Sequence, residues 1–141
     1  MTAERPPLTI GVERRERVLA VLRQGLADEE GLLFAYVFGS FTQPGPFRDI
    51  DIAVCYGHLN AGQADLRAFD LHGRLEPLVG FPLDVVALNG RPVSFRFHVF
   101  RGVALVVNDE EALTQDLERT ARDYFDQERR LRVATVEAYS E

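Results

Sequence analysis

The feature that most constrains this chain is a run of seven consecutive apolar residues, Leu32-Leu33-Phe34-Ala35-Tyr36-Val37-Phe38, closed by Gly39. So short a run fits a strand better than a helix, and an unbroken apolar strand is one that is buried on both faces. A second strand pattern lies at Ile50 to Tyr56, where Asp51, Ala53 and Cys55 alternate with Ile50, Ile52 and Val54. Between them, Ser40 to Arg48 contains Pro44, Gly45 and Pro46, which allow a turn or at most one helical turn.

Helical periodicity surrounds this pair. Val12 to Ala27 places Val18, Leu22 and Leu26 on one stripe with Leu19 beside it, and Gln63 to Val79 is helical in composition, with Leu66, Phe69, Leu75 and Leu78 as the expected core face and Gly80 as its end. Phe81 to Leu88 reads as a third strand. A short helix is expected after Pro92, then a strand at Val103 to Val107. Asn108 or Asp109 caps a long final helix whose first turn carries Glu110 and Glu111, with Leu113, Leu117, Tyr124 and Leu131 as its packing face. The expected fold class is α+β, a small mixed sheet of three to four strands flanked by helices with a long C-terminal helix. It forms one domain over residues 1–141, with its core at about 12–130.

Charge and composition narrow the function. The 22 acidic residues outnumber 16 basic ones, a formal charge of -6, which disfavours general attraction to nucleic acid or an anionic membrane. Every basic residue is Arg; with no Lys, Schiff-base chemistry and the P-loop are excluded. The single cysteine, Cys55, excludes an intramolecular disulfide and reads as a packing residue. No apolar run is long enough to span a membrane and MTAERPP lacks a signal-peptide core, so a cytoplasmic location is expected. His58, His72 and His98 are too scattered in sequence to suggest a metal site, and Phe95, Phe97, Phe100 and Tyr124 read as core. The Arg129-Arg130-Leu131-Arg132 run reads as a solvated helix face or one that meets an acidic partner.

The segment that carries chemistry is Phe38-Gly39-Ser40, then eight residues, then Asp49-Ile50-Asp51-Ile52. Carboxylates at i and i+2 on a strand project from one face, and Ile50 and Ile52, turned to the core, fix both acids outward. Like charges held together call for a divalent cation. Mg²⁺ favours such hard oxygen ligands and is commonly held by one or two carboxylates plus substrate phosphates. Gly39 lets backbone approach a phosphate, Ser40 adds a hydroxyl and an N–H, and Asp84 places a third acid among the apolar residues of the next strand.

The Gly-Ser, the Asp-Ile-Asp strand and the later strand Asp resemble the nucleotidyltransferase fold of the DNA polymerase beta superfamily. The short length, Leu88-Asn89, the Gly102 to Asp109 stretch and Tyr124-Phe125-Asp126 are similar to its minimal nucleotidyltransferases, antitoxin-type partners of helical toxins with HEPN domains. The resemblance implies that Asp49 and Asp51 hold two Mg²⁺ ions, that Asp84 completes the metal site and assists deprotonation of the attacking hydroxyl, and that Gly39 and Ser40 hold the triphosphate of ATP. It further implies transfer of AMP to a tyrosine hydroxyl of a partner HEPN toxin, with release of pyrophosphate. The chain departs from the family pattern in its turn, which has eight residues where about ten are usual and lacks an Ala-Arg-Gly after the Ser. Arg48, next to Asp49, is the residue offered in place of that Arg as a phosphate ligand. Two other readings share the fold: an antitoxin that occludes its toxin without catalysis, and a nucleotidyltransferase for a small molecule. With so little chain beyond the catalytic sheet, the acceptor site must come from a partner chain, a second copy or the acceptor itself.

Overall fold

The structure, a computed structural model, describes residues 6–139. Helix α1 (Val12–Ala27) leads into strand β1 (Leu32–Phe38) and a 3-10 turn (Ser40–Thr42). Then come β2 (Ile50–Tyr56), α2 (Ala61–Val79), β3 (Leu83–Ala87), α3 (Val93–Phe100), β4 (Val103–Val107) and α4 (Glu110–Tyr139). The four strands form one sheet in the order β3-β2-β1-β4. It is mixed: β1 is antiparallel to β2 and β4, while β2 and β3 run parallel. The fold class is the one the sequence implies.

The two interior strands are the two that the sequence marks as most apolar, and each feeds both faces. Ala35, Val37, Ile50, Ile52 and Val54 point to one side, where Val18, Leu22 and Leu26 of α1 and Leu71 and Leu75 of α2 complete the core. Phe34, Tyr36, Phe38, Ala53 and Cys55 point to the other, against Val99, Phe95 and Phe100 of α3 and Leu113 of α4. Aromatic edges support this second layer, where Phe38 meets Phe95 at 5.8 Å and Tyr36 meets Phe100 at 5.3 Å, and between α3 and α4 Phe97 stacks on Tyr124 at 3.8 Å. These rings are packing residues, as expected. At the far end of β2, the Asn89 side chain acts as a strand substitute, accepting from Tyr56 N at 2.9 Å and donating to Tyr56 O at 2.8 Å.

Helix α2 packs on a different face from the one its large apolar residues suggest. Ala64, Ala68, Leu71 and Leu75 are buried, whereas Leu66, Phe69 and Leu78 are 72%, 76% and 59% exposed. The buried four follow i, i+4, i+7, i+11 spacing, and the alanines bring the helix close to the sheet. Gly25 lets α1 approach α2 closely, because a Cβ there would lie 2.5 Å from Leu75 Cδ2. The helix starts at Ala61 with a full capping box, Asn60 accepting from Gln63 N and Gln63 returning the bond to Asn60 N. Gly80, at φ 78°, ends it in the left-handed conformation.

Two buried acids tie the layers together. Glu29, 7% exposed, receives Arg67 and Arg74, each at 2.8 Å, and the Tyr56 hydroxyl at 3.3 Å. Asp116 on α4 pairs with Arg96 on α3, and Thr120 donates to it at 3.2 Å. Helix α4 is capped by Asp109, which accepts from Ala112 N. Leu113, Leu117 and Tyr124 are partly buried along it, but Leu131 is 63% exposed and does not belong to its packing face. Among the described residues, every position of α4 beyond Asp126 is exposed. No helix among them is long and apolar enough to cross a membrane.

The two faces of α2 should separate in stability measurements. Leu71→Ala is expected to cost about 2–5 kcal/mol in urea unfolding. Phe69→Ser is expected to change stability by about 0.5 kcal/mol or less. A large loss at Phe69 with a small one at Leu71 would contradict the packing.

Candidate active site

Strand pairing brings the acids together. In the parallel pair, Asp51 of β2 stands opposite Asp84 of β3, and in the antiparallel pair it stands opposite Phe38, the last residue of β1. Asp49 lies one residue before β2, so it is two residues from Asp51, at the strand's entry. Asp84 is exposed because β3 is an edge strand, although Leu83 and Val85 beside it are buried. The sequence suggested an acid within a core strand; the sheet order instead gives it a solvent face.

Gly39 fits this site by absence of a side chain. Its φ is +79°, and a Cβ there would sit 2.5 Å from Asp51 Oδ2. Any larger residue would be strained in backbone and would strike the carboxylate. The 3-10 turn then closes through Thr42 N and Thr42 Oγ1, both donating to Gly39 O, at 3.1 and 2.7 Å. Arg15 of α1 reaches across to hold this turn, donating to the carbonyls of Phe41 and Gly45.

Burial pushes the Asp51 carboxyl up to about 6, and the charges of Asp84 and then Asp49 add to the effect. A carboxylate whose proton affinity is raised by burial and by neighbouring acids is one that a hard cation relieves. Asp49, Asp51 and Asp84 fit Mg²⁺ in this respect: all are oxygen donors on one side of the sheet. Among the described residues no group of three or more acidic, His or Cys side chains is placed to hold a metal ion by itself.

Beside the carboxylates is a cleft of about 350 Å³. One wall is the turn after β1, with Gly39, Ser40, Thr42 and Gln43; the other is the turn between α3 and β4, with His98, Arg101 and Gly102. Gly102 permits the contact between walls, since a Cβ there would overlap the Val37 carbonyl oxygen and lie 3.0 Å from Phe38 Cα. Ser40 is one of the residues that line this cleft. Arg48 is exposed in the turn before Asp49 and does not line the cleft, whereas Arg101 does. Sequence reasoning missed Arg101 and Thr42; the Arg101-Gly102 pair at the start of a strand was the available signal.

The remaining reactive side chains are occupied otherwise. Cys55 is buried in the second core layer, and burial pushes its thiol up to about 11, which makes it a poor nucleophile. His72 pairs with Glu76 at 3.0 Å within α2. His58 occupies a turn at φ 63°, and the His98 ring packs edge-on to Phe38 at 5.6 Å.

The acids should destabilise the metal-free fold. Unfolded, Asp51 titrates near 3.8 and folded at about 6, so the folded chain holds the proton more tightly in that interval. Stability accordingly falls as pH rises through it, with the full penalty present above it and none below. Asp51→Asn removes the penalty. In urea unfolding with a chelator at neutral pH it should be more stable by on the order of 1 kcal/mol, allowing for solvent screening, and the difference should vanish near pH 4. Equal stability at neutral pH would refute this account.

Comparison with known proteins agrees with the fold. Several solved structures share the fold. One, of the tri-AMPylated Shewanella oneidensis HEPN toxin in complex with MNT antitoxin, matches at a TM-score of 0.60 and 18% identity, over 91% of this chain and 98% of that one. A crystal structure of the toxin-antitoxin with AMP-PNP matches at 0.67 and 20%, over 86% and 98%. The MntA-HepT toxin-antitoxin crystal structure matches at 0.60 and 17%, over 92% and 100%. Among curated proteins compared by sequence, none matches. The family model for "Polymerase beta, Nucleotidyltransferase" matches residues 21–111, which include Gly39, Ser40, Asp49, Asp51 and Asp84. The chain therefore belongs to the polymerase beta-type nucleotidyltransferase family.

Proposed function

We propose that this chain is a Mg²⁺-dependent adenylyltransferase that moves AMP from ATP to a tyrosine hydroxyl of a HEPN toxin and so acts as its antitoxin. The observation that carries the reading is the pairing of Asp51 with Asp84 beside a glycine that has no room for a Cβ. The tri-AMPylated toxin of the similar complex supplies the acceptor class, and the AMP-PNP complex the nucleotide class.

Asp49, Asp51 and Asp84 would hold the metal, which when bound neutralises phosphate charge and stabilises the attacking and leaving oxygens. The chain's own residues do the rest by position. Gly39 and Ser40 seat the triphosphate where backbone can approach it closely. The acceptor oxygen attacks the α-phosphorus, forming a new O–P bond. The bond from that phosphorus to the bridging oxygen breaks, and pyrophosphate leaves with the electron pair. The hydroxyl proton passes to the Asp84 carboxylate and then to water, for which the exposure of Asp84 at the sheet edge is suited. The acceptor tyrosine comes from the partner, because the carboxylate face opens to solvent at β3.

Incubation with α-labelled ATP, Mg²⁺ and a HEPN partner tests the proposal. Label is expected on the partner's tyrosine, and the Asp49→Asn, Asp51→Asn double variant is expected to lose at least about 10²-fold in rate. Stable complex formation without label would replace this reading with occlusion. Undiminished labelling by the double variant would remove the carboxylates from the mechanism.

A further inference from the structure

Taking the nucleotidyl-transfer reading as its basis, we infer that Arg101 is the cationic anchor for the terminal phosphates of the nucleotide, held there by Gly102. The chain has no Lys, so any side-chain cation that meets a polyphosphate must be Arg or His. Most arginines at the layer contacts are committed: Arg67 and Arg74 to Glu29, Arg96 to Asp116 and the Leu88 carbonyl, Arg91 to Asp65, Arg15 to the turn after β1. Arg101 is exposed, and its guanidinium has no ion pair or hydrogen bond among the described residues.

Its place is set by the fold rather than by chance. The α3–β4 turn closes with Arg101 N donating to His98 O at 3.3 Å and Gly102 N donating to Val99 O at 2.9 Å. Gly102 then packs directly on the backbone of Val37 and Phe38, at the end of β1. Gly39 follows Phe38, and its missing side chain faces the Asp51 carboxylate. The carboxylates and the cleft thus meet at Gly39. A ligand whose reacting phosphorus sits at the acids extends its tail toward Ser40 and Arg101.

The lining supports an anion. In a chain with six more acids than bases, the cleft contains no carboxylate; its polar side chains are two hydroxyls, an amide, an imidazole and a guanidinium. The planar fork of Arg can donate two parallel N–H bonds to one phosphate, which the point charge of an ammonium cannot do. Arg48, the candidate from sequence, lies outside this lining.

Calorimetric titration with Mg²⁺ and three probes, ATP, AMP and inorganic tripolyphosphate, tests the inference, alongside the transfer assay. Arg101→Ala should weaken ATP and tripolyphosphate about 10- to 100-fold while changing AMP less than about twofold. Arg101→Lys should recover part of the loss, because it keeps charge and loses the fork. In the transfer assay KM for ATP should rise in step while kcat changes less, and the melting temperature should not move. If wild type binds ATP and transfers AMP but Arg101→Ala is unchanged, the inference falls and the proposed function stands. If tripolyphosphate binds in an Arg101-dependent way and no AMP is transferred to any acceptor, the function falls and the anchor stands. If wild type binds none of the three, both fall.

Discussion

The register between β1 and β2 sets the site. It puts Phe38 opposite Asp51, so the strand end that turns away at Gly39 does so against a carboxylate, with no space for a side chain between. A slip of one residue would exchange the faces of β2, sending Asp51 into the core and Ile50 or Ile52 to the site. That slip is prevented by burial: Ile50, Ile52 and Val54 are fully inaccessible on one face, and Ala53 and Cys55 are buried on the other. Hydrophobic packing on both sides therefore holds an electrostatic arrangement that is unfavourable in itself.

The chain treats its acids in two ways. Glu29 and Asp116 are buried with arginines and extra hydroxyl donors, and no buried side-chain polar atom among the described residues lacks a partner. These pairs join α2 to the α1–β1 connection and α4 to α3, where breaking one partner would leave an uncompensated charge. At the end of the central strands the reverse holds. Asp51 is surrounded by like charge, and its proton affinity is raised by burial and by its neighbours. Structural acids are neutralised by the protein, whereas Asp51 is held beside like charge.

How much of this was legible depended on which physical signal a residue carries. Strands β1 and β2 and helix α1 were readable because continuous or alternating apolar residues leave few alternatives. The capped start of α4 was readable from Asp109 and the acids after it. The face of α2 was not: Leu66 and Phe69 look like core by hydrophobicity, but Ala64 and Ala68 allow closer approach to the sheet, and approach distance is a property of two elements at once. Leu131 failed similarly, since a helix can be amphipathic along its whole length while only part of it meets a partner. Arg101 was overlooked because it lies far along the chain from Gly39, and sequence spacing favoured Arg48.

By itself the sequence determined the element order and the buried character of the two central strands, and it offered three candidate carboxylates, because periodicity and composition act locally. Tertiary structure decided what stands next to what. The parallel pairing of β2 with β3 put Asp84 beside Asp51, the edge position of β3 exposed it, and close backbone packing at Gly102 brought Arg101 to the cleft. Those outcomes depend on distances between segments far apart in the chain, which packing fixes and local pattern does not.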